Sequence, residues 1–106
     1  MTRVTLLYRY SEGAHFDFDY YIQRHVAMSR RLLADCGLLS IEVEKCTRTL
    51  SGEKPGVVCV THLDLERESD LARALEIHGA ALMADFPNYT NIQPEIYVCE
   101  VLTRGK

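Results

Sequence analysis

The chain has 106 residues, of which 47% are hydrophobic and 25% are charged, and its formal net charge is −3. A length and composition of this kind are typical of one ordinary domain, so we expect a single domain over residues 1–106. Lys and Arg are scattered rather than gathered into the basic stripe of a nucleic-acid binder, and no apolar run approaches the ~20 residues that span a bilayer. The N-terminus lacks the apolar stretch of a signal peptide, which favours a cytoplasmic protein without nucleic-acid or membrane partners.

Four cysteines occur one per predicted element, without a CxxC pair: Cys36, Cys46, Cys59 and Cys99. Structural zinc sites usually take their thiolates in close pairs, because one turn must present two of them to one metal. We therefore expect small buried thiols rather than a metal site. The sequence has no Gly-rich phosphate loop or haem motif, so we expect no cofactor. A metal or disulfide role is the weaker alternative.

In the first half of the chain, apolar residues follow a strand period, then a helix period, then a strand period again. Residues of Arg3–Tyr10 alternate in polarity and predict a strand, which ends in a turn at Ser11–Gly13. From Asp17 onward apolar residues recur at three- and four-residue steps, which predicts a helix with Asp17 as its N-cap and Gly37 just past its end. Alternation returns over Leu39–Leu50 and predicts the second strand.

The second half repeats the scheme of strand and helix. A Gly- and Pro-containing loop at Ser51–Gly56 joins the second strand to a third at Val57–Leu63, as expected of an antiparallel hairpin. A second helix is predicted over Ser69–Asp85, where Gly79 suggests close packing on the sheet. The last strand is predicted over Glu95–Leu102.

The resulting order, βαββαβ, is that of the ferredoxin-like split-βαβ unit of the α+β class, a four-stranded antiparallel sheet with two helices on one face. The strands carry apolar residues on both sides, and in the last strand Ile96 and Val98 oppose Tyr97 and Cys99. One face would then expose an apolar patch, which usually marks an interface. We therefore expect a homodimer that joins through its sheet faces about a two-fold axis.

His25 is the candidate catalytic residue. It lies on the predicted inward face of the first helix, one turn after Tyr21. Imidazole can take up or release a proton at cellular pH, and a neighbouring phenol could orient it or bind a substrate oxygen. The alternative is a buried histidine bonded to a backbone carbonyl. His78 lies on the stripe of the second helix and could direct another imidazole at the sheet.

Tyrosines and a polar loop supply the candidate ligand-binding residues. The chain has six Tyr and no Trp, and Tyr is a common lining of pockets for flat organic molecules, so Tyr20 and Tyr21 are candidates. The loop Phe86–Pro94 is held by two prolines, and loops fixed by a scaffold often carry binding groups. Its polar side chains could equally satisfy their own backbone in turns. The candidates in this loop are Asn88, Tyr89, Thr90 and Asn91.

Two segments resemble the sequence signatures of the EthD family. The run FDFDYYIQRH at Phe16–His25 is similar to the family's N-terminal signature, a Phe-Asp followed by paired aromatics and a histidine. The run FPNYTNIQPE at Phe86–Glu95 is similar to its C-terminal signature. The resemblance implies a dimeric α+β barrel in which two ferredoxin-like sheets pack face to face. It also implies a ligand cleft between sheet and helices that His25 reaches.

The family takes its name from a protein required for the breakdown of ethyl tert-butyl ether alongside a cytochrome P450 system, and related barrels include isomerases and monooxygenases without cofactor. The resemblance therefore implies a small, apolar, oxygen-bearing ligand of xenobiotic or secondary metabolism. It implies cofactor-independent oxidoreductase-, isomerase- or lyase-like chemistry, with acid–base catalysis by His25. The alternative is a non-catalytic accessory protein that binds a compound for an oxygenase partner.

Overall fold

Four antiparallel strands form one sheet in the order β2-β3-β1-β4 in the computed structural model, which describes residues 1–105. The strand order and the two intervening helices confirm the predicted ferredoxin-like α+β fold. Neither helix of the described chain is long and apolar enough to cross a membrane. The strands are β1 (Thr2–Arg9), β2 (Leu38–Lys45), β3 (Val57–Leu65) and β4 (Glu95–Glu100).

Two strands are shorter than predicted, because their last predicted residues leave the sheet. β2 stops at Lys45, and the chain then forms a turn in which the Thr49 backbone N–H donates to the carbonyl of Glu53 at 2.9 Å. β4 stops at Glu100 rather than at Leu102, whose side chain is exposed. Alternation of polarity continues past the last ladder hydrogen bond, so it overestimates strand length at both places.

The first helix is a continuous run of three segments: an α-helical turn at Phe18–Tyr20, a π-helical stretch at Tyr21–Val26 and an α-helix at Ala27–Leu33. Asp17 caps it as predicted, since its Oδ1 accepts a hydrogen bond from the Tyr20 backbone N–H at 3.0 Å. Apolar spacing does not predict the π-helical stretch. Such stretches are rare and often occur at functional sites.

The second helix, Glu68–Ala84, begins and ends one residue earlier than predicted. Ser69 lies inside its first turn, and Asp70 makes the capping contact, because its Oδ2 accepts a hydrogen bond from the Arg67 backbone N–H at 3.0 Å. The same carboxylate closes the space beside Gly37, which has a φ of +70°, and a Cβ at Gly37 would collide with it. A side chain at this turn is therefore excluded by both backbone conformation and space.

Gly79 does not mark close packing of the second helix on the sheet. A Cβ built on Gly79 would have only the Leu75 side chain near it, at 3.9 Å, which is ordinary van der Waals contact. The prediction of a close backbone approach is therefore wrong. Gly79 instead lines a cleft between this helix and the sheet.

The side of the sheet that faces the helices carries the core. Its central cluster joins strand and helix residues with one residue of the loop before β4. Burial raises the pKa of the Cys59 thiol to about 12, so this thiol remains protonated. Cys36 is also buried, whereas Cys46 and Cys99 are partly exposed, and all four thiols are free. The cluster consists of Tyr8, Tyr21, Val26, Ile41, Cys59 and Tyr89.

The opposite side of the sheet, here called the open face, is more polar than the strand sequences suggest. Arg3 donates two hydrogen bonds to Asp64, at 2.7 and 3.0 Å, and Arg104 donates a third at 3.0 Å. Asp64 is only 1% exposed, although no helix covers this side. The expectation of apolar side chains on both faces therefore holds for Leu7, Val60, Tyr97 and Cys99, but not for the polar majority of the open face.

Candidate functional site

A cleft of 280 Å³ lies between the two helices and the sheet. Its volume is near the lower end of the ~300–1,000 Å³ that is common for small-molecule sites. At the mouth of the cleft, apolar side chains are left uncovered by either helix. Among them, Ile96 and Val98 of β4 are 52% and 54% exposed. The walls at this end are formed by Leu6, Leu71, Leu75, Met83, Ile96 and Val98.

Only four polar side chains line the cleft, and among the residues described none of the lining is Lys, Arg, Asp or Glu. Ser29 is occupied locally, because its Oγ donates to the backbone carbonyl of His25 at 2.9 Å. Tyr21 and Thr61 form a hydroxyl pair, with 2.7 Å between the phenolic oxygen and Oγ1. The polar end of the cleft therefore consists of this pair and the imidazole of His25.

The imidazole of His25 is held by the carboxylate that follows the second helix. Its Nδ1 lies 2.9 Å from Oδ2 of Asp85, and both side chains are largely buried. Oδ1 of Asp85 accepts two more hydrogen bonds, from the Tyr20 hydroxyl at 2.7 Å and from Nδ2 of Asn88 at 2.8 Å. Burial would raise the pKa of Asp85, but the hydrogen bonds of Asn88, Tyr20 and His25 outweigh it and lower the pKa. Asp85 is therefore an anion beside the imidazole.

Three buried phenols lie in the core next to the cleft, and two of them, Tyr21 and Tyr89, contact the ring of His25. The hydroxyls of Tyr8 and Tyr89 lie 3.0 Å apart, and burial raises the pKa of Tyr8, Tyr21 and Tyr89 far above the usual phenol value. These groups stay neutral at any physiological pH. Tyr21 can therefore donate a hydrogen bond in the cleft, but it cannot act as a base there.

Of the residues that the sequence predicts for the site, Tyr21 and His25 come together at the cleft. Their rings stack with centroids 5.5 Å apart and an interplanar angle of 13°. Tyr20 and Asn88 lie behind them and bind Asp85 rather than the cleft. Tyr89 is fully buried, with its ring centroid 4.8 Å from that of His25.

The other predicted residues lie away from the cleft. Thr90 donates from Oγ1 to the carbonyl of His15 at 2.8 Å, and Asn91 donates from Nδ2 to the carbonyl of Gly13 at 3.0 Å. Both residues line a separate, open depression next to this turn. Their polar atoms thus fasten the loop before β4 to the turn after β1. His78 is partly buried on the second helix and lines neither space.

Sequence reasoning missed Asp85 and Thr61. Asp85 is separated from His25 by a strand hairpin and a helix, so no local spacing connects them. Thr61 carries a weak signal, because it is the polar residue among the inward-facing positions Cys59, Thr61, Leu63 and Leu65 of its strand. Within residues 1–105, no three His, Cys, Asp or Glu side chains converge as a metal site would require.

Solved structures similar to the chain are found over nearly its whole length, whereas no family model and no curated protein matches it. An EthD-like protein from Ralstonia eutropha JMP134 is 31% identical with a TM-score of 0.90, covering 98% of this chain and 94% of that one. An ethyl tert-butyl ether D (EthD) family protein from Bacillus halodurans C-125 is 20% identical with a TM-score of 0.75, covering 96% and 99%.

A third similar structure is that of SnoaB, a cofactor-independent oxygenase from Streptomyces nogalater. It is 10% identical with a TM-score of 0.64, and the match covers 97% of this chain and 93% of that one. At this identity, and at that of the Bacillus protein, the likeness is one of fold. The Ralstonia protein is similar in sequence as well.

Proposed function

The chain belongs to the EthD-like family, and on this premise we propose that it binds a small, uncharged, mainly apolar molecule carrying an oxygen atom. The cleft carries this proposal, because its walls are apolar and its polar groups are confined to one end. A charged ligand would lose its hydration there without meeting an opposite charge among the lining residues, which costs several kcal/mol or more. A single carbonyl or hydroxyl matches the polar end.

We propose that His25 moves a proton on this ligand. With the carbonyl oxygen hydrogen-bonded to Tyr21, the imidazole takes a proton from the adjacent carbon, the electron pair of that C–H bond forms a C=C bond, and the π pair of the carbonyl passes to the oxygen. Return of the proton to the oxygen, or to the far carbon of a conjugated double bond, completes an isomerisation, so no further reactant is needed. General acid–base catalysis of this kind contributes about 10²–10⁴-fold. Oxidative or lyase-like outcomes would begin with the same proton transfer.

A place in oxidative degradation or secondary metabolism, in the cytoplasm, is the wider setting that we propose. The name of the EthD family refers to ethyl tert-butyl ether, and SnoaB, similar in fold, is a cofactor-independent oxygenase. The residues that line the cleft contain no sequence motif known to bind a cofactor.

A second candidate function is that of an accessory protein that binds such a molecule for an oxygenase without transforming it. The half-exposed Ile96 and Val98 at the mouth favour it, because a ligand could enter and leave without a conformational change. This alternative predicts saturable binding with no chemistry, and dependence on Tyr21 more than on His25.

A homodimer joined through the open faces is the assembly that we propose, as two similar sheets packed face to face would form a barrel. The mixed charges of the open face, such as the pair of Arg9 and Glu95 at 2.6 Å, allow a polar interface. Sedimentation velocity over a range of concentrations tests it. A particle of one chain mass at every concentration contradicts the proposal.

The experiment that tests the function uses a matched set of probes: cyclic monoketones, the alkanes of the same skeleton and the corresponding carboxylates. Protein NMR shifts report binding, and mass spectrometry in D₂O reports deuterium uptake next to the carbonyl. We expect the ketones to bind best and to exchange, His25→Gln to bind without exchange, and His78→Gln to resemble the wild type. Binding without exchange in the wild type supports the accessory function, and preference for the carboxylates contradicts both.

A further inference from the structure

The two ring nitrogens of His25 have different surroundings. Nδ1 lies 2.9 Å from Oδ2 of Asp85, outside the lining of the cleft. Nε2 makes no hydrogen bond to any residue of the described chain, and no side-chain nitrogen or oxygen there is both buried and unpartnered. Nε2 therefore lies at an accessible surface, and the surface that His25 lines is that of the cleft.

We propose that Asp85 is a positioning residue, which keeps the proton of neutral His25 on Nδ1 and so presents Nε2 to the cleft as the proton acceptor. The proposal rests on the proposed function and identifies the nitrogen that performs it. A carboxylate accepts hydrogen bonds and cannot donate one, so the ring nitrogen that faces it must carry the hydrogen. The neighbouring nitrogen is then left with its lone pair.

The orientation of the Asp85 carboxylate is itself fixed by its two other partners. Tyr20 and Asn88 both donate to Oδ1, on the side away from the imidazole. These two side chains, which the sequence suggests as ligand-binding residues, thus act on the site through Asp85. They leave Oδ2 to the imidazole.

Aromatic side chains restrict the ring of His25 to this orientation. Tyr21 stacks on one face, and the ring centroids of Tyr89 and Phe86 lie 4.8 and 5.7 Å from that of the imidazole. The titratable side chains that contact the imidazole of His25 are Asp85 after the second helix, Tyr89 in the following loop and Tyr21 on the first helix. Asp85 is the charged one, so it decides which ring nitrogen holds the proton.

In the variant Asp85→Asn, the hydrogen bonds of Tyr20 and Asn88 determine how the new amide is oriented. Tyr20 and Asn88 donate to the position of Oδ1, so the amide oxygen of the new side chain will occupy that position. Its NH₂ group then faces Nδ1 of His25 and needs an acceptor there. The neutral imidazole must shift its proton to Nε2, and the cleft loses its base.

Long-range ¹H–¹⁵N NMR of the imidazole tests this without any ligand, at a pH where the ring is neutral. We expect an Nδ1–H imidazole in the wild type and an Nε2–H imidazole in Asp85→Asn. In the double variant Asp85→Asn/Tyr20→Phe, one donor that orients the amide is gone, so both forms should be populated. Tyr20→Phe alone keeps the carboxylate and should keep Nδ1–H.

An Nε2–H imidazole in the wild type overturns the proposal, and this measurement stands even where a variant does not fold. An unchanged Nδ1–H imidazole in folded Asp85→Asn also overturns it. Ketone exchange by Asp85→Asn should fall by about 10²–10⁴-fold with binding within about threefold of the wild type. If no ketone binds, the proposed function fails while the NMR result still decides the role of Asp85.

Discussion

The two sides of the sheet are built from the same strands and differ in almost every physical property. On the helix side, Tyr8 and Thr61 are buried next to apolar neighbours, and their hydroxyls pair with other hydroxyls. On the open face, Arg3 of β1 and Asp64 of β3 are opposite each other on neighbouring strands and form an ion pair at 2.7 Å. Alternation along each strand separates the two sets, because successive side chains point to opposite faces.

This difference assigns separate tasks to the two faces. The polar groups that line the cleft on the helix side are hydroxyls and one imidazole, with no Lys, Arg, Asp or Glu among the lining residues that the structure describes. They can therefore form hydrogen bonds to an uncharged ligand. The ionised groups of the open face suit contact with another polar surface or with water. Asp85, the anion that contacts His25, does not line the cleft and acts on it through His25.

The largest effect on stability should follow from removing a buried side chain on the helix side of the sheet. Tyr8→Ala removes a fully buried ring in contact with Phe16, Tyr21 and Tyr89, and we expect a loss of about 3–5 kcal/mol in the free energy of unfolding. Urea denaturation at a fixed protein concentration measures it. Tyr97→Ala on the open face is the matched control at protein concentrations where the chain is monomeric, because its side chain is 49% exposed in the single chain and little packing is lost. Equal losses for both variants would contradict the contrast between the faces.

A smaller effect should follow from neutralising the open face. Asp64→Asn breaks the ion pair with Arg3, and we expect a loss of about 2 kcal/mol at neutral pH. The hydrogen bonds of Arg3 lower the pKa of Asp64 against the effect of burial. The wild type therefore has this stabilisation above the ordinary carboxyl pKa of ~3.9 and loses it as the pH falls through the lowered value.

Wild type and Asp64→Asn should accordingly converge in stability as the solution becomes acidic. Denaturation midpoints measured across a pH series test this expectation. Glu76→Gln, a change at an exposed carboxylate on the second helix, should show neither the loss nor the convergence. A constant difference between wild type and Asp64→Asn down to strongly acidic pH would show that the ion pair is not its cause.

Sequence periodicity predicted the order of the elements because it depends on local rules. The cap at Asp17, and the strand and helix periodicities of the apolar residues, depend only on residues that are close in sequence. The structure confirms the cap and the order of strands and helices. The edge strand β4, with Tyr97 and Cys99 on the open face, does not represent that face as a whole. Charges on the central strands, above all Asp64, are paired across strands in a way that alternation alone does not show.

The site was predictable only in part, for the same reason. Tyr21 and His25 are one turn apart, so a helical period identifies them as neighbours. Asp85 reaches His25 only through tertiary packing, and for the same reason the sequence does not show that the polar loop residue Asn88 binds Asp85 rather than a ligand. A functional pair made by packing of distant elements leaves no spacing for sequence reasoning to find.

The smallest expected effect concerns Gly79, which links stability to the volume of the cleft. Gly79→Ala meets only the Leu75 side chain, at 3.9 Å, so the helix should gain about 1 kcal/mol from the better helix former. The added methyl group would occupy the cleft that Gly79 lines, so bulkier ketones should bind less well while small ones are unaffected. Ala80→Gly is the reverse change at an exposed position of the same helix, and it should lower stability by about the same amount without altering binding. Unfolding curves and ketone titrations separate the two effects, and undiminished binding of the bulkiest ketone by Gly79→Ala would mean that ligands do not reach this wall.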